Sequence, residues 1–253
     1  MSEKRNQLIK SKIFLLFIFS LIIFCGCSTR SISNPGYDGG GYYYRQVNPI
    51  YKGELTEFDV LGIDPSADIP EDEISKSLSK SSKIGIKQGD SIMLIQSGAM
   101  FPDEQMQKEL TKYFPIMPFS GIPMTDNKNE SSNRSNYGKV LRLVAAKGGN
   151  EIIVCYWGTL ETAQKNLATS SVSWVPVVGW MVPDESQMMR IQLKFVIIDV
   201  ATGSWTIFTP DPIDNKATSS MISRESSDQG QVALLKSKAY KEAVEKFARI
   251  YKE

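Results

Sequence analysis

Residues 151–157, Glu-Ile-Ile-Val-Cys-Tyr-Trp, decide the fold class that the sequence predicts. A short, continuous apolar run of this kind is typical of a strand buried inside a protein. Gly148 and Gly149 directly precede it and end a helical pattern over residues 139–147. A second apolar run, over residues 91–96, predicts another buried strand further upstream. The centre of the chain therefore alternates strands with helices.

The neighbouring segments extend this alternation. Residues 54–63 partly alternate apolar and polar side chains, which predicts a strand. Helices are predicted over residues 70–80, with Pro70 near the first helical position and acidic residues in the first turn, and over residues 102–114. Residues 116–119 have a weaker strand pattern, and residues 125–138 have the polar composition of a mobile surface loop. The order of strand, helix and strand predicts an α/β layer with parallel pairing.

The second half of the chain changes character. Residues 189–197 alternate apolar and polar side chains, which predicts a half-buried antiparallel strand. With its neighbours it forms a predicted three-stranded meander over residues 170–209, with a turn at residues 199–203. Residues 210–228 are polar and predict irregular structure, and a long amphipathic helix closes the chain over residues 229–251. Its predicted apolar stripe consists of Val232, Leu235, Ala239, Ala243, Phe247 and Ile250. We therefore predict the α/β class with an α+β tendency: a single domain with a mixed sheet, a parallel first half, an antiparallel meander and a C-terminal helix.

The N-terminus carries the parts of a secretory signal. Basic residues outnumber acidic ones in residues 1–12. A run of apolar residues, interrupted only by Ser20, follows from Ile13 to Phe24. A helix needs about 20 apolar residues to cross a membrane, so this shorter run favours a signal over a transmembrane anchor. Gly26 and Cys27 follow. A small residue before a cysteine at this place resembles the lipobox of bacterial lipoprotein precursors.

The lipobox resemblance implies that residues 1–26 are removed and that Cys27 carries the lipid; an ordinary signal with incidental cysteines is the alternative. Phe24 stands where the motif usually has leucine. Such lipoproteins carry a diacylglyceryl thioether and usually an amide-linked chain such as palmitate, and two or more acyl chains hold a protein stably on a membrane. Ser28 stands where an aspartate commonly signals retention in the inner membrane. The resemblance therefore implies the periplasmic face of the outer membrane, for a Gram-negative cell.

The mature chain divides into two parts. Residues 27–53 are predicted to form a lipidated flexible tether, because a polar, Gly-rich stretch cannot bury enough apolar area to become ordered. Within it, Tyr42, Tyr43 and Tyr44 are candidate contacts with a partner or with lipid headgroups, and packing on the edge of the domain is the alternative. Residues 54–253 are predicted to form a single globular envelope domain.

The composition excludes several classes of function. The sequence contains no histidine, which removes histidine-based acid–base catalysis and histidine-ligated zinc. Cys155 would be the only free cysteine of the mature chain, and its apolar neighbours favour a core position over a nucleophile. Loss of residues 1–26 would remove four of 29 basic residues and one of 28 acidic residues, which leaves a net charge of −2. We predict no metal, no cofactor and no nucleic-acid partner.

A further resemblance rests on three segments: residues 149–154, the Asp-x-x-Thr-Gly turn at residues 199–203, and the C-terminal helix. Their order is similar to that in periplasmic lipoproteins of the curli-secretion type and in the N-terminal domain of the Tol translocation protein. The resemblance covers residues 90–250 and implies a binding or assembly role in the envelope. It assigns no functional residue.

Trp174 and Trp180 flank Pro176 and Gly179 in the most unusual stretch of the sequence. Proline within a strand pattern indicates an edge or a distorted strand, and an apolar edge needs to be covered. The two tryptophans are therefore candidate contacts with a partner or with the membrane. Packing beneath the C-terminal helix is the alternative.

A cell-envelope hydrolase that acts on peptidoglycan or peptides is the alternative function. Ser77 and Lys80 have Ser-x-x-Lys spacing, but the motifs that accompany it in penicillin-binding proteins are missing from the sequence. Four acidic residues are candidates for paired glycosidase carboxylates: Glu161, Asp184, Glu185 and Asp199. We assign no catalytic residue and predict a non-enzymatic binding or assembly role. The predicted partners are the membrane, through the lipid, and an envelope protein or a second copy of the chain.

Overall fold

The computed structural model describes residues 28–36, 48, 50–80, 84–87, 89–123, 131–164, 186–218 and 224–251. The strands within these residues are β1 (Ser28–Ser31), β2 (Ile92–Gln96), β3 (Ile116–Phe119), β4 (Ile152–Gln164), β5 (Ser186–Asp199), β6 (Trp205–Phe208) and β7 (Ile213–Thr218). The helices are α1 (Glu57–Leu61), α2 (Glu71–Lys80), α3 (Glu104–Thr111), α4 (Ser131–Lys147) and α5 (Arg224–Tyr251).

All of these strands belong to one mixed sheet, whose spine is the long antiparallel pair β4–β5. β2 lies between β3 and β4 and runs parallel to both. β1 pairs antiparallel with residues 159–162 of β4, beyond the point where β2 ends. β6 and β7 both pair antiparallel with β5. The predicted fold class is confirmed: the pairing is parallel around β2, antiparallel from β4 onwards, and a long helix closes the chain.

The two outer edges of the sheet carry prolines. β6 and β7 pair with successive parts of β5, and the turn between them contains Pro210 and Pro212. On the opposite edge, Pro118 lies within β3 and is exposed. Since proline has no backbone N–H to donate to a neighbouring strand, it interrupts further strand pairing at these points.

β4 is buried on both faces, which explains its continuous apolar sequence. Val154 and Tyr156 lie in the core that packs against α3 and α5. Ile153 and Cys155 lie in a second core, which packs against α1 and α4. All four side chains are buried, and the prediction that Cys155 is a core residue is confirmed. Burial raises the pKa of its thiol well above the usual value. Helices therefore cover the sheet on both sides.

The strand predicted over residues 54–63 is wrong, because this segment contains the helix α1. Thr56 Oγ1 accepts a hydrogen bond from the Asp59 N–H, and the Asp59 carboxylate accepts one from the Thr56 N–H. This reciprocal capping box starts the helix, and Gly62 ends it in the left-handed conformation with φ of 67°. These caps at both ends favour a helix more strongly than the partial alternation of apolar and polar side chains favours a strand.

Two predicted irregular segments also contain regular structure. α4 begins at Ser131, inside the loop predicted over residues 125–138. β7 and the first turns of α5 occupy part of the segment predicted as irregular over residues 210–228. β7 is polar in sequence, but the free edge of β5 supplies its hydrogen-bonding partner. Pairing with an existing strand overrides a weak intrinsic strand propensity.

The chain enters the sheet directly after Cys27, at the start of the predicted tether. Ser28–Ser31 form β1, and Ile32, which follows, is buried. The beginning of residues 27–53 is therefore a strand instead of flexible chain. Backbone groups make the ladder bonds of a strand, so a polar sequence can pair when a neighbouring strand offers a free edge.

Gly158 leaves room for Ile32 on the surface of β4. A Cβ atom at Gly158 would lie 2.8 Å from two carbon atoms of Ile32 and 2.8 Å from Cδ2 of Leu193. We expect Gly158→Ala to lower the free energy of unfolding by about 1–3 kcal/mol, as overpacking of a core does. Urea unfolding followed by circular dichroism measures the change.

Gly230→Ala is the matched control for this prediction. Nothing lies within 4 Å of the Cβ position of Gly230, which lies inside α5. Because alanine is the better helix former, this variant should gain about 0.5–1 kcal/mol. A Gly158→Ala protein as stable as the unmodified one would contradict the packing role of Gly158.

Candidate functional site

A cluster of polar side chains lies where the end of β1 meets the centre of the sheet and the helix layer of α3 and α5. Gln96 ends β2, Asp103 directly precedes α3, and Tyr156 is in the middle of β4. Lys236 and Tyr240 lie one turn apart on α5, so they share a helix face. We call these five residues, together with Ser33, the polar cluster.

The carboxylate of Asp103 is the centre of the cluster. Its Oδ2 atom accepts a hydrogen bond from Lys236 Nζ at 2.8 Å and another from the Tyr240 hydroxyl at 2.5 Å. The side chain of Asp103 is 30 % exposed and that of Lys236 is 15 % exposed. Lys236 Nζ also donates to the carbonyl oxygen of Ile32 at 2.8 Å. One lysine therefore joins α5 both to the start of α3 and to the chain that follows β1.

The side chain of Gln96 extends the polar cluster across the sheet. Its Oε1 atom accepts hydrogen bonds from the Tyr156 hydroxyl at 2.5 Å and from the Asp103 N–H at 2.7 Å. Its Nε2 atom donates to Ser33 Oγ at 3.0 Å, and Ser33 Oγ donates to the Ser97 carbonyl at 2.6 Å. The polar cluster is therefore continuous from α5 to the residues after β1.

The two tyrosines of the cluster are fully buried. Burial raises the pKa of Tyr156 well above its usual value, and the nearby Asp103 charge raises it further. Burial likewise raises the pKa of Tyr240, with added contributions from Tyr156 and Asp103. Both hydroxyls therefore stay protonated at neutral pH and act as hydrogen-bond donors to fixed acceptors.

The cluster borders a groove of about 990 Å³. Asp103, Lys236 and Tyr240 line it, and Lys108 adds a further positive charge. Gln105 also lines it and donates to Ser237 on α5 at 2.6 Å, so a second contact holds α3 against α5. The Lys236 ammonium and the Tyr240 hydroxyl both donate to the Asp103 carboxylate, and Lys236 also donates to the Ile32 carbonyl. The arrangement therefore fixes β1, α3 and α5 relative to the sheet.

Most of the site residues predicted from the sequence lie outside the described residues. These are Cys27, Tyr42, Tyr43, Tyr44, Trp174, Trp180, Asp184 and Glu185. Their proposed roles in lipidation, in contact with a partner or in catalysis stay predictions.

Among the described residues of the alternative hydrolase sites, Ser77 and Lys80 share α2, whereas Glu161 and Asp199 lie on two different strands. Ser77 is exposed on α2, where Lys80 follows one turn later. Glu161 lies in β4, where its backbone pairs with that of Arg190. Asp199 Oδ1 accepts hydrogen bonds from the backbone N–H and the hydroxyl of Thr202 within the turn at residues 199–203. Asp199 therefore stabilises a turn. Ser77 lies on α2 and Glu161 lies on β4.

The polar cluster itself was missed by sequence reasoning. Pro102 and Asp103 indicate only the start of a helix, and Tyr240 lies beside the predicted apolar stripe of the last helix. The single available signal is the spacing of Lys236 and Tyr240, a charged residue and an aromatic one on the same helix face. Long-range contacts bring their partners together, so no local pattern could identify them.

A comparison with protein families identifies the relatives of the chain. The model of the YafT bacterial lipoprotein family matches residues 56–250. This chain belongs to the YafT family. It is therefore a bacterial lipoprotein, as the lipobox resemblance implied, and a lipid-anchored protein of the cell envelope. The match includes Gln96, Asp103, Lys236 and Tyr240, whereas β1 precedes the part shared with the YafT model.

Three solved structures are weakly similar to this chain. The hypothetical protein CT253 from Chlamydia trachomatis is 11 % identical, with a TM-score of 0.30 over 63 % of this chain and 95 % of that one. PelC from Paraburkholderia phytofirmans, described as a dodecamer, is 12 % identical, with a TM-score of 0.24 over 64 % and 95 %. Lipoprotein GNA1162 from Neisseria meningitidis is 10 % identical, with a TM-score of 0.25 over 57 % and 96 %. The comparison with curated proteins found no match. The resemblance to the curli-secretion and Tol proteins stays a prediction.

Within the part of the chain that the structure describes, no helix is long and apolar enough to span a membrane.

The raised pKa of Tyr137 on α4 should make the free energy of unfolding fall at alkaline pH. Burial raises its pKa from 10.0 to about 12, and the nearby Cys155 and Asp59 add to the shift. Above pH 10 the unfolded chain releases this proton while the folded protein keeps it, so stability present below pH 10 is lost as the pH rises to about 12. We expect Tyr137→Phe to reduce the slope of unfolding free energy against pH by about 1.4 kcal/mol per pH unit in this window.

Urea unfolding across this pH window measures the two slopes. The same measurement near pH 7 is the control, because Tyr137 is protonated in both states there and should contribute no slope. Identical slopes above pH 10 for the variant and the unmodified protein would contradict the assignment.

Proposed function

We propose that the protein is a non-enzymatic lipoprotein of the outer membrane whose domain binds or assembles with another protein of the envelope. Membership of the YafT bacterial lipoprotein family supports the envelope location. The position of Ser28 after the lipobox cysteine supports the outer membrane and its periplasmic face. Cys27 is the proposed site of the lipid, with palmitate among its acyl chains.

The exposed helix α2 carries the proposal of a binding role. Every residue from 71 to 79 is exposed. Ile74 and Leu78 lie one turn apart on the same face, and the exposed fraction of Leu78 reaches 78 %. An isolated helix of ten residues is marginal in water and gains most of its stability from packing. A partner that covers Ile74 and Leu78 would supply that packing.

The charges on α2 also suit a protein partner. Glu71, Asp72 and Glu73 lie in the first turn, and Lys76 forms an exposed ion pair with Asp72 at 2.7 Å. Apolar side chains framed by charged ones are typical of protein–protein contact surfaces. Ser77 shares this exposed helix, so its Ser-x-x-Lys spacing with Lys80 is compatible with a surface role.

The experiment is crosslinking in cells, followed by purification of the lipidated protein and mass spectrometry of its crosslinked neighbours. We expect a stoichiometric envelope protein, and its loss when Ile74 and Leu78 are both changed to serine. Both side chains are exposed, so the variant should keep its fold. Leu234→Ser is the matched control, because Leu234 is also exposed but lies on α5.

Two outcomes would oppose the proposal. Crosslinks that the double variant leaves unchanged would remove α2 as the contact surface. A purified domain that hydrolyses peptidoglycan, and loses that activity in Ser77→Ala or Glu161→Gln, would replace the binding role with the hydrolase.

A further inference from the structure

The outer edge of β6 presents backbone groups in a regular pattern. Within the described ranges, β5 is the only strand that pairs with β6. In an antiparallel pair, positions that exchange two hydrogen bonds alternate with positions that exchange none. The Asp199 N–H donates to the Ser204 carbonyl at 2.9 Å, and the same register continues along β6. Every second residue from Ser204 therefore bonds to β5, and the N–H and C=O groups of Trp205 and Ile207 point away from it.

β6 lacks the features that protect other edge strands of this sheet. β3 contains Pro118, and β7 is polar and contains Asp214. Prolines and charged residues on an edge strand oppose its pairing with another chain. The sequence of β6, Trp-Thr-Ile-Phe, contains neither, and these residue types are all enriched in strands. This edge is therefore suited to further strand pairing.

Two apolar side chains of β6 are exposed on the face of the sheet that α1 and α4 cover. Trp205 is opposite Ile198 and Ile207 is opposite Val196, and both of these partners lie in the second core. Residues that are opposite each other point to the same face of a sheet. Trp205 is 47 % exposed and Ile207 is 45 % exposed. The helices thus cover the centre of this face but leave its margin at β6 apolar and accessible.

The other face of the sheet also has an exposed apolar side chain beside this edge. Lys246 on α5 pairs with Asp211, which lies in the turn directly after β6. Ile250 is one turn further along α5, so it lies on the side of the helix that faces this turn. Its neighbour Phe247 contacts Phe208 of β6, whereas Ile250 itself is exposed. Apolar side chains therefore flank the edge of β6 on both faces.

The edge of β6 is complementary to a second copy of itself. A twofold axis through Thr206, normal to the sheet, would place Trp205 of one copy opposite Ile207 of the other. Because both residues direct their N–H and C=O groups outward, the two symmetric pairs would exchange four backbone hydrogen bonds in all. An aromatic residue opposite a β-branched one stabilises a sheet. Gly203, with φ of 74°, and Pro210 end the extended segment on its two sides and restrict the ladder to this register.

We propose that the protein forms a homodimer in which the β6 strands of two copies pair antiparallel about Thr206 and continue the sheet across the twofold axis. The partner is a second copy because each outward-facing residue of β6 then meets an outward-facing residue at the matching position. Closed twofold dimers are also the commonest protein oligomers. The interface lies at the edge of the sheet and is separate from the surface proposed on α2.

Disulfide formation between single cysteines tests the register. The full chain carrying Thr206→Cys is oxidised in its own cell membranes. In the proposed dimer the two copies of this residue form a non-hydrogen-bonded pair with Cα atoms about 4.5 Å apart, which a disulfide can bridge. We expect most of this variant to migrate as a disulfide-linked dimer. The unmodified protein, whose Cys155 is buried, should not.

Ile207→Cys is the matched control for the register. The two copies of residue 207 would be diagonal neighbours about 8 Å apart, which is too far for a disulfide. Ile207→Cys that crosslinks as well as Thr206→Cys would contradict the proposed pairing. The absence of a crosslinked dimer from both variants would overturn the dimer itself.

Sedimentation of the purified full chain in detergent provides a second measurement. Ile207→Lys should raise the dissociation constant of the dimer at least ten-fold, because a lysine on an edge strand opposes pairing. Leu234→Lys is the control, because Leu234 is exposed in the first half of α5. Changing Ile74 and Leu78 on α2 to serine should also leave the dimer intact, which separates this inference from the proposed function. A dissociation constant that Ile207→Lys leaves unchanged, or a chain that sediments only as a monomer, would overturn the proposal.

Discussion

Cys27→Ala is expected to abolish the attachment of lipid and, on the outer-membrane location proposed above, to remove the protein from the outer-membrane fraction. Acyl chains provide about 0.8 kcal/mol of membrane affinity per buried methylene group, and stable anchoring requires two chains or one chain with a second signal. Without the thiol, the diacylglyceryl thioether cannot form. Metabolic labelling with radioactive palmitate, together with membrane fractionation, measures both effects.

Cys25→Ala is the matched control for the lipidation site. Cys25 and Cys27 lie in the same short segment with only Gly26 between them. We expect Cys25→Ala to keep its palmitate, because bulky Phe24 stands where a lipobox that used Cys25 would need a small residue. Palmitate retained in Cys27→Ala but lost in Cys25→Ala would move the mature N-terminus by two residues and leave a spacer before β1.

Asp103→Ala is expected to cause the largest loss of stability among exchanges in the polar cluster. It would leave the Lys236 ammonium and the buried Tyr240 hydroxyl without their shared acceptor. Removing one partner of a buried ion pair costs about 3–5 kcal/mol. Since Asp103 and Lys236 keep some exposure to solvent, we expect a loss near the lower limit, about 3 kcal/mol. Urea unfolding at neutral pH measures this loss.

Asp211→Ala is the matched control, because Asp211 also pairs with a lysine of α5. Its Oδ2 atom lies 2.9 Å from Lys246 Nζ, but the side chain of Asp211 is 89 % exposed. Exposed ion pairs contribute about 0–1 kcal/mol, so this variant should remain close to the unmodified protein. Similar losses for the two variants would show that burial does not distinguish the polar cluster from a surface ion pair.

Asp103→Asn separates the hydrogen bond from the charge. The amide oxygen can still accept from Tyr240, but it no longer carries the charge that Lys236 requires. We expect a loss of stability between those of Asp103→Ala and the unmodified protein. Hydrogen exchange at the Ile32 N–H should become faster in the same order, because Lys236 links Asp103 to the Ile32 carbonyl.

Several elements could be predicted from the sequence because their signals are local. The buried strands β2 and β4 are recognisable in the sequence as apolar runs. The glycine pair after α4 ends that helix at the predicted residue. The turn at residues 199–203 follows from Asp199 and Thr202, whose side chains bond within the turn. In each case the stabilising group lies within a few residues.

Other elements were misjudged because their stabilising partners are distant. The long helix α5 was predicted, yet Ile250, placed on its apolar stripe, is exposed, while Tyr240 and Val244 are buried. The direction in which a helix faces depends on the surface beneath it. Likewise, β7 is a strand because β5 has a free edge, and its sequence of polar residues gives no indication of this.

By itself, the sequence determined the compartment signal, the fold class and the absence of histidine chemistry, because each depends on composition or on neighbours along the chain. Only the tertiary structure decided that β1 begins at Ser28 and that Lys236, Asp103 and Tyr240 meet. Lys236 and Asp103 are separated by 133 positions along the chain. Contacts over such a separation arise from the packing of α3 and α5 on the sheet, which no local pattern of residues encodes.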